Sequence, residues 1–201
     1  MLKPWFALFV LMLGCSPKVY SIFQEGHHHF AYKSDKVTAW DVRVPARTST
    51  RFHIHDHDYL FVTIGPAVVT SIPLEGNPTQ MVLQDGEVRF TKAPLVHEAR
   101  DDGNQPFHNV TIELAQPATN VTPCDSPCVL TSDQWTAYSI GLAPGEHVDT
   151  QNALIVPLTA VNLTHRPGQP LRLFPGMVND THSPLTNAGP ADARFIMLEY
   201  K

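Results

Sequence analysis

The stretch Arg51–Ile64, "RFHIHDHDYLFVTI", joins three histidines at alternate positions to an apolar run of strand-forming residues. On an α-helix, His53 and His57 would share one face, as in zinc-binding helices. However, position 54 is isoleucine where the metalloprotease motif has glutamate, and "YLFVTI" is rich in residues that favour strands. On a β-strand, His53 and His55 point to the same side. The pattern therefore predicts a strand that presents two imidazoles on one face.

Similar short segments recur along the whole chain. The 201 residues include eighteen prolines and eleven glycines, and hardly any stretch shows helical periodicity. The strand-like runs are "VTAWDVRV", "AVVTSI", "FHNVTIEL", "NALIVPLTAVNL" and "ARFIMLEY". Runs of this length with turn signals between them predict an all-β fold, either a barrel or a sandwich.

The composition limits the size of the fold and the kind of partner. With 43% hydrophobic residues, the chain can build one ordinary domain or two small ones. The formal net charge is -5, and no basic block is present that would neutralise a phosphate backbone. We therefore expect no nucleic acid partner.

The first twenty residues have the pattern of a signal peptide. Lys3 is followed by an apolar run and then by Cys15, and the run is too short to span a bilayer. The segment Leu11–Cys15, "LMLGC", also resembles the bacterial lipobox, whose cysteine is lipidated. The sequence thus predicts an exported protein: a periplasmic or cell-surface lipoprotein anchored through Cys15, or otherwise a secreted protein without membrane contact.

Two further cysteines lie close together in "PCDSPC". In an oxidising compartment, Cys124 and Cys128 are expected to form a local disulfide. The alternative, a redox-active dithiol, would require a helix to start after the first cysteine. Pro127 and the lack of a helical run argue against that arrangement.

The chain looks like two copies of one β-module. "HIHDHDYLFVTI" from His53 aligns without a gap with "HVDTQNALIVPL" from His147, and "TAW" before the first copy matches "TAY" before the second. We assign module 1 to residues 27–116, a linker to 117–132 and a degenerate module 2 to 133–201. Module 2 is short for a complete barrel, so we expect it to share strands with module 1 or with another subunit in a homodimer.

A third histidine is available to complete a metal site. His97, in "KAPLVHEA", lies on a later predicted strand, after the turn "QDGE". Here the sequence resembles the cupin superfamily: "HIHDHDYLFVTI" and "APLVHE" are similar to small cupins that carry H-x-H-x-x-D-Y before an apolar strand. The resemblance implies a double-stranded β-helix, or jelly-roll barrel, duplicated as a bicupin. It also implies a divalent metal ion bound by His53, His55 and His97.

The fourth ligand is open, because this sequence departs from the family pattern. The family's glutamate falls on Tyr59 or Leu60, so Asp58, His57 or water completes the shell. Tyr59, next to the ligands, is a candidate to position a substrate or to donate a proton. Imidazole ligands suit Fe, Zn, Ni or Cu, and Mn if a carboxylate joins them, so the metal is not decided.

The sequence contains two further groups of histidines. In module 2, His147, Asp149 and His182 could form a facial triad for Fe(II), or the degenerate copy could serve only as a packing partner. The three consecutive histidines of "GHHHF" at Gly26–Phe30 alternate between the two faces of a strand. They therefore predict an exposed N-terminal segment and a poor metal site.

Function follows from the resemblance less directly than fold does. The first hypothesis is a metal-dependent dioxygenase or related oxidoreductase that acts on a small organic molecule. The second is a non-enzymatic module that binds a small acid or sugar, and in the third the metal is structural. An open coordination position favours the first two, and a closed shell of four ligands favours the third.

Overall fold

The computed structural model describes residues 17–166 and 169–201. Cys15 and most of the predicted signal segment therefore lie outside the described residues. Within the described part of the chain, no helix is long and apolar enough to cross a bilayer. Almost all regular structure is β-strand, joined by one short 3-10 turn at Ile22–Gln24, so the all-β prediction is confirmed.

The first half of the chain forms two five-stranded sheets that face each other. The first has the order β1-β4-β9-β6-β7 and the second has the order β2-β3-β10-β5-β8. The strands are β1 (Tyr20–Ser21), β2 (His28–Lys33), β3 (Val37–Val44), β4 (His53–His55), β5 (Tyr59–Ile64), β6 (Ala67–Pro73), β7 (Thr79–Leu83), β8 (Val88–Thr91), β9 (Leu95–Asp101) and β10 (Phe107–Leu114).

The second half also forms two sheets. One has six strands in the order β11-β12-β13-β20-β15-β18, and the other has four in the order β14-β19-β16-β17. The strands are β11 (Thr122–Pro123), β12 (Cys128–Thr131), β13 (Trp135–Leu142), β14 (His147–Val148), β15 (Ala153–Pro157), β16 (Val161–Arg166), β17 (Gln169–Leu173), β18 (Asn179–Thr181), β19 (Leu185–Asn187) and β20 (Ala193–Tyr200).

The two halves repeat one strand order. The order β14-β19-β16-β17 corresponds to β4-β9-β6-β7, and β13-β20-β15-β18 corresponds to β3-β10-β5-β8. This is the arrangement that a duplicated β-module would give, although the duplication itself stays a prediction. Each half builds its sheets from its own strands, so the expectation that module 2 borrows strands from module 1 is not met. Strand β12 lies inside the predicted linker but belongs to the second half.

Strand alternation divides the apolar side chains between two cores. On β3, Trp40 and Val42 face the interior of the first barrel, whereas Val37 and Ala39 face the second half. The large sheets of the two halves meet in this second core, to which Leu60, Ile112, Leu154 and Leu198 contribute fully buried side chains. The shared apolar core holds the two barrels together.

A tight turn before β8 also meets the second half. Gly86 has a φ of +78°, and a Cβ atom added there would lie 2.8 Å from Cδ1 of Leu158. Beside it, Asp85 pairs with Arg194 at 2.9 Å between Oδ2 and Nη2. Glycine is therefore required at position 86 both by the left-handed backbone and by the close approach of the two barrels.

Candidate metal centre

Strand pairing gathers the three histidines that the sequence predicts as ligands. His53 and His55 occupy alternate positions on β4, so both side chains point into the first barrel. Strand β9 runs antiparallel to β4 and places His97 directly opposite His53. All three are buried, with 1%, 2% and 8% of their surface exposed in chain order. Two adjacent strands of one sheet thus supply these imidazoles.

A fourth histidine joins them from the opposite sheet, although it belongs to the segment Gly26–Phe30 that the sequence predicts to be exposed. His28, at the start of β2, is buried, and its ring centroid lies 4.7 Å from that of His53. One nitrogen each of His28, His53 and His55 lies within 4.8 Å of the others, a spacing that can hold a metal ion. His97 lies outside this three-residue spacing, but its ring centroid is 4.7 Å from that of His53 and 5.4 Å from that of His55. We call His28, His53, His55 and His97 the histidine cluster.

The outward-facing ring nitrogens of two cluster members have hydrogen-bond partners. Nδ1 of His53 lies 2.8 Å from the carbonyl oxygen of Arg51. Nδ1 of His28 lies 2.7 Å from Oε2 of Glu25, a carboxylate that has no exposed side-chain surface. A proton on Nδ1 satisfies each contact and leaves Nε2 free as a ligand, which is how metal-binding histidines are usually held.

His97 follows the same pattern, whereas Nδ1 of His55 is buried without a hydrogen-bond partner. Nδ1 of His97 lies 2.9 Å from Oγ of Ser71, and its Nε2 is buried without any hydrogen-bond partner. Nε2 of His53 and Nε2 of His55 face each other at 3.1 Å. Buried polar atoms normally have partners. The unpaired nitrogen of His97 and the facing pair therefore fit a metal ion as the missing partner.

Burial and nearby positive charge keep three members of the cluster, His53, His55 and His97, neutral. Burial, followed by repulsion from a charge on His28, lowers the pKa of His53 and of His55 to about 3. Burial, followed by repulsion from His53, places the pKa of His97 well below its usual range. At neutral pH these imidazoles are unprotonated, which is the form that binds metal ions.

Glu25 and Glu113 are two buried carboxylates behind the cluster. Hydrogen bonds from His28 and from the N–H of His27 outweigh burial and hold the pKa of Glu25 well below its usual range. Oε1 of Glu113, on β10, lies 3.4 Å from Nδ1 of His55, and Trp40 Nε1 donates to Oε2 at 3.1 Å. Burial raises the pKa of Glu113. Both carboxylates contact Nδ1 atoms, so they orient cluster histidines from outside.

Tyr59 occupies the place where the resemblance would put a glutamate. Its ring stacks on His55 with centroids 4.2 Å apart and an angle of 25° between the planes. Burial raises the pKa of Tyr59 to about 12, so its hydroxyl keeps its proton at neutral pH. Tyr59 therefore orients His55 and is an uncharged neighbour of the cluster.

The two candidates for a fourth ligand lie elsewhere. The buried carboxylate of Asp58 accepts hydrogen bonds from Lys92 Nζ and the N–H of Ala93, both at 2.8 Å, and from the N–H of Ala118 at 2.9 Å. His57 is exposed. The structure places neither residue at the cluster. Asp58 is hydrogen-bonded to the segments that contain Ala93 and Ala118, and His57 points to solvent. The histidine that does lie there is His28.

The structure does not bring together the candidate residues of the second half. His147, Asp149 and His182 are all exposed, and His182 is 3.3 Å from Asp180. In the register of β14 and β19, the partner of His147 is Thr186, at the place that His97 has in the first half. The interior of the second barrel is filled by an apolar core that includes Leu163, Leu185 and Phe195.

A cavity of about 240 Å³ opens from the histidine cluster into the first barrel. Most of its lining is apolar: Val42, Phe61, Val69, Met81, Phe90, Leu95, Ala99 and Phe107. Arg89 also lines it and lies opposite Phe61 in the pairing of β5 and β8, with its Nε 2.7 Å from Oε1 of Glu87. Asn109 and Thr111 add polar groups on β10. The cavity has room for a small organic molecule.

The predicted cysteine pair lies far from the cluster in sequence, in the segment that joins the two halves. The structure links Cys124 and Cys128 in a disulfide, with Cα atoms 5.4 Å apart. The pair closes a short loop before β12, and neither cysteine lines the cavity.

Comparison with known proteins identifies the fold. No protein-family model and no curated protein sequence matches this chain. A cupin 2 conserved barrel protein from Leptotrichia buccalis is 11% identical, with a TM-score of 0.53 over 87% of this chain and 88% of that chain. Oxalate decarboxylase from Lactobacillus farciminis is 10% identical, with a TM-score of 0.57 over 84% and 77%. Salicylate 1,2-dioxygenase from Pseudaminobacter salicylatoxidans is 11% identical, with a TM-score of 0.55 over 83% and 71%.

Proposed function

We propose that this chain, which has the cupin fold, is a metal-dependent oxidoreductase that acts on a small organic acid. The observation that carries the proposal is the position of the histidine cluster, where buried, neutral imidazoles lie at the wall of a largely apolar cavity. Cavities lined by apolar side chains with a few polar groups are typical of small-molecule sites. His53, His55 and His97, with His28 beside them, are the residues that would hold the ion.

The imidazole ligands favour a transition metal ion that binds nitrogen donors well. Imidazole suits Fe, Zn, Ni and Cu, and the cluster contains no carboxylate that would favour Mn. A bound ion would supply Lewis acidity and, for Fe or Cu, redox chemistry. Neutral ligands leave the charge of the ion uncompensated, so an anionic ligand in the cavity is favoured over a neutral one.

Arg89 supports the choice of an acid. Its backbone partner, Phe61, faces the cavity, so the Arg89 side chain leaves the sheet on the same side. A guanidinium group pairs well with a carboxylate, and the apolar lining suits the organic part of the molecule. Oxalate decarboxylase and salicylate 1,2-dioxygenase, two proteins of the same fold, are named for small acids.

Within the cavity, Tyr59 is proposed to donate a hydrogen bond to the bound acid. Its hydroxyl is protonated at neutral pH, and its ring is fixed against His55. Asn109 and Thr111, whose side chains are joined by a hydrogen bond of 2.9 Å, would orient the molecule from the facing wall. The apolar residues around them exclude water and so strengthen these contacts.

We also propose that the protein is exported. The apolar segment before Cys15 and the pairing of Cys124 with Cys128 support this, because stable disulfides belong to oxidising compartments. Fractionation of source cells tests the proposal. Recovery of the full-length chain, including its first residues, from the cytoplasm would contradict it.

The proposed activity is tested by metal analysis followed by a substrate panel. The protein purified from its own source is expected to contain close to one equivalent of a transition metal. Oxygen uptake and product formation are then measured for matched pairs of aromatic and aliphatic acids and their amides. We expect the protein to turn over acids and not amides. His55→Ala should lose this turnover, and Arg89→Met should raise the KM for the acid. His147→Ala should behave as the unmodified protein.

Two results would overturn the assignment. Tight binding of an acid with no turnover by any metal-loaded form would identify a binding module. Equal affinity for acids and amides would remove the role given to Arg89.

A further inference from the structure

The segment from Tyr20 to His28 lies along the strand that carries two of the cluster histidines, and we call it the N-terminal strap. Its first residues form β1, which pairs in parallel with β4 so that Tyr20 is opposite His53 and Ser21 is opposite Ile54. The N–H of Tyr20 donates to the carbonyl of Phe52 at 2.9 Å. At its other end the strap supplies His28 to the cluster.

Glu25 joins the strap to the chain that enters β4. Its carboxylate accepts a hydrogen bond from the N–H of Arg51 at 3.2 Å and another from the N–H of His27 at 2.8 Å. The same carboxylate is 2.7 Å from Nδ1 of His28. Glu25 thus holds one ligand of the cluster, and it is fastened two residues before His53, which is another.

Arg51 reinforces the attachment on the outer side. Its guanidinium carbon lies 4.0 Å from the ring centroid of Tyr20, and its Nη2 donates to the carbonyl of Gln24. Both ends of the strap are therefore held by the residues that lead into β4. No other strand forms a backbone pair with β1 in the described part of the chain.

We propose that the metal ion has four imidazole ligands, that His28 is the one delivered by the strap, and that Glu25 is the residue that positions it. Four protein ligands would fill the shell of a tetrahedral ion such as Zn²⁺, whereas a six-coordinate ion such as Fe(II) would keep open positions for the acid. This inference rests on the metal site of the proposed function. Docking of the strap and metal binding are then one linked event: the ion locks the strap against β4, and release of the strap removes a ligand. Since the other three ligands come from β4 and β9, the site without the strap is incomplete rather than absent.

The linkage predicts effects of known size. Loss of an outer partner of a metal-bound histidine typically lowers metal affinity about 10- to 100-fold. A metal ion that binds only when the strap is docked also shifts the docking equilibrium towards the docked state, and the shift grows with the ratio of the ion concentration to its Kd. Metal should therefore protect the strap from hydrogen exchange, and Glu25→Gln should weaken both the affinity and the protection.

The test uses the full chain after removal of metal with a chelator. Affinity for Zn²⁺ and Co²⁺ is measured by competition with a chromogenic chelator, and hydrogen exchange of residues 20–28 is followed with and without Zn²⁺. The variants are Glu25→Gln, His28→Ala and His28→Gln, with His55→Ala as a variant that should lose the site. The matched controls are Glu75→Gln and His29→Ala, both exposed residues. Thermal unfolding of each metal-free variant establishes that it is folded.

Four-imidazole ligation gives a clear expectation. In the unmodified protein, Zn²⁺ slows exchange of the strap at least tenfold, and Co²⁺ gives an absorption spectrum that His28→Ala and His28→Gln change. In both His28 variants the affinity falls by more than about 100-fold and the strap no longer responds to Zn²⁺. Glu25→Gln gives the smaller loss of about 10- to 100-fold that removal of an outer partner causes, and an altered Co²⁺ spectrum, which a purely structural role would not produce. The controls match the unmodified protein.

The failure of this inference is distinguishable from failure of the metal site itself. If the unmodified protein binds Zn²⁺ tightly but His28→Gln binds it equally well with the same Co²⁺ spectrum, the strap is not a ligand and only this inference is overturned. If the unmodified protein binds neither ion while His55→Ala is indistinguishable from it, the proposed metal function is overturned as well.

Discussion

His53 and His97 lie directly opposite each other in the antiparallel pair of β4 and β9, and their ring centroids are 4.7 Å apart. They are more than forty residues apart in sequence. The register brings them together because both side chains point into the barrel from adjacent strands. A ligand that comes from each strand makes the site depend on this pairing.

The first prediction concerns His97. Its Nε2 is buried and has no partner, so replacing the residue removes a ligand in addition to the hydrogen bond between Nδ1 and Oγ of Ser71. We expect His97→Ala to lower the metal content of the purified protein at least tenfold, as measured by elemental analysis. His182→Ala is the control, because His182 is exposed and lies outside the cluster. Equal metal content in the two variants would mean that His97 is not a ligand.

The second prediction concerns the stability of the metal-free protein below neutral pH. His53 and His55 have a pKa of about 3 when folded and close to 6.5 when unfolded, so the unfolded state binds more protons as the pH falls. Stability contributed by each neutral histidine is present above pH 6.5 and is lost as the pH falls towards 3. The slope approaches about 1.4 kcal/mol per pH unit for each group between about pH 5.5 and 4, midway between the two pKa values.

Urea unfolding of metal-free protein at pH 7.0, 6.0 and 5.0 measures this slope before most carboxylates titrate. The unmodified protein should lose stability steadily over that range. His55→Gln should show a shallower loss, and His29→Ala should follow the unmodified protein. A flat profile for the unmodified protein would show that the cluster is not held neutral.

The sequence predicts the part of the site that depends on strand alternation. His53 and His55 follow from parity on one strand, and His97 follows from its place on a later strand. His28 could not be found this way. Three consecutive histidines alternate between both faces of a strand, so the sequence does not show which of them points into the barrel. The feature of the sequence that could have indicated His28 is Glu25, three residues earlier, because the fold buries its carboxylate against the His28 ring.

The sequence also misplaces residues whose partners are distant. Asp58 looks like a ligand because it follows the histidines closely, but its partners Lys92 and Ala118 come from segments that only the fold brings near. In the second half, His182 was a candidate ligand beside His147, but the strand register pairs His147 with Thr186, and His182 lies in the turn before β19.

The third prediction concerns Asp58. Its carboxylate accepts hydrogen bonds from the exposed Lys92 and from two backbone N–H groups, so removing it leaves the buried N–H of Ala118 and the partly buried N–H of Ala93 unpaired. We expect Asp58→Ala to lower the free energy of unfolding by about 2 to 4 kcal/mol. The metal content of the folded variant should not change. Asp56→Ala, an exposed neighbour, should be close to neutral in both measurements. If Asp58→Ala lost its metal but kept the stability of the unmodified protein, Asp58 would be a ligand.

The last prediction concerns the second barrel, whose interior holds an apolar core in place of a cavity with histidines. Leu163 is fully buried there among Leu185 and Phe195. Leu163→Ala should therefore lower the free energy of unfolding by about 2 to 5 kcal/mol through lost burial and the void it leaves. Metal affinity measured on the folded variant should match that of the unmodified protein, because the second barrel packs on the first without contributing to the cluster. A fall in metal affinity with the fold intact would show that the second barrel takes part in the site.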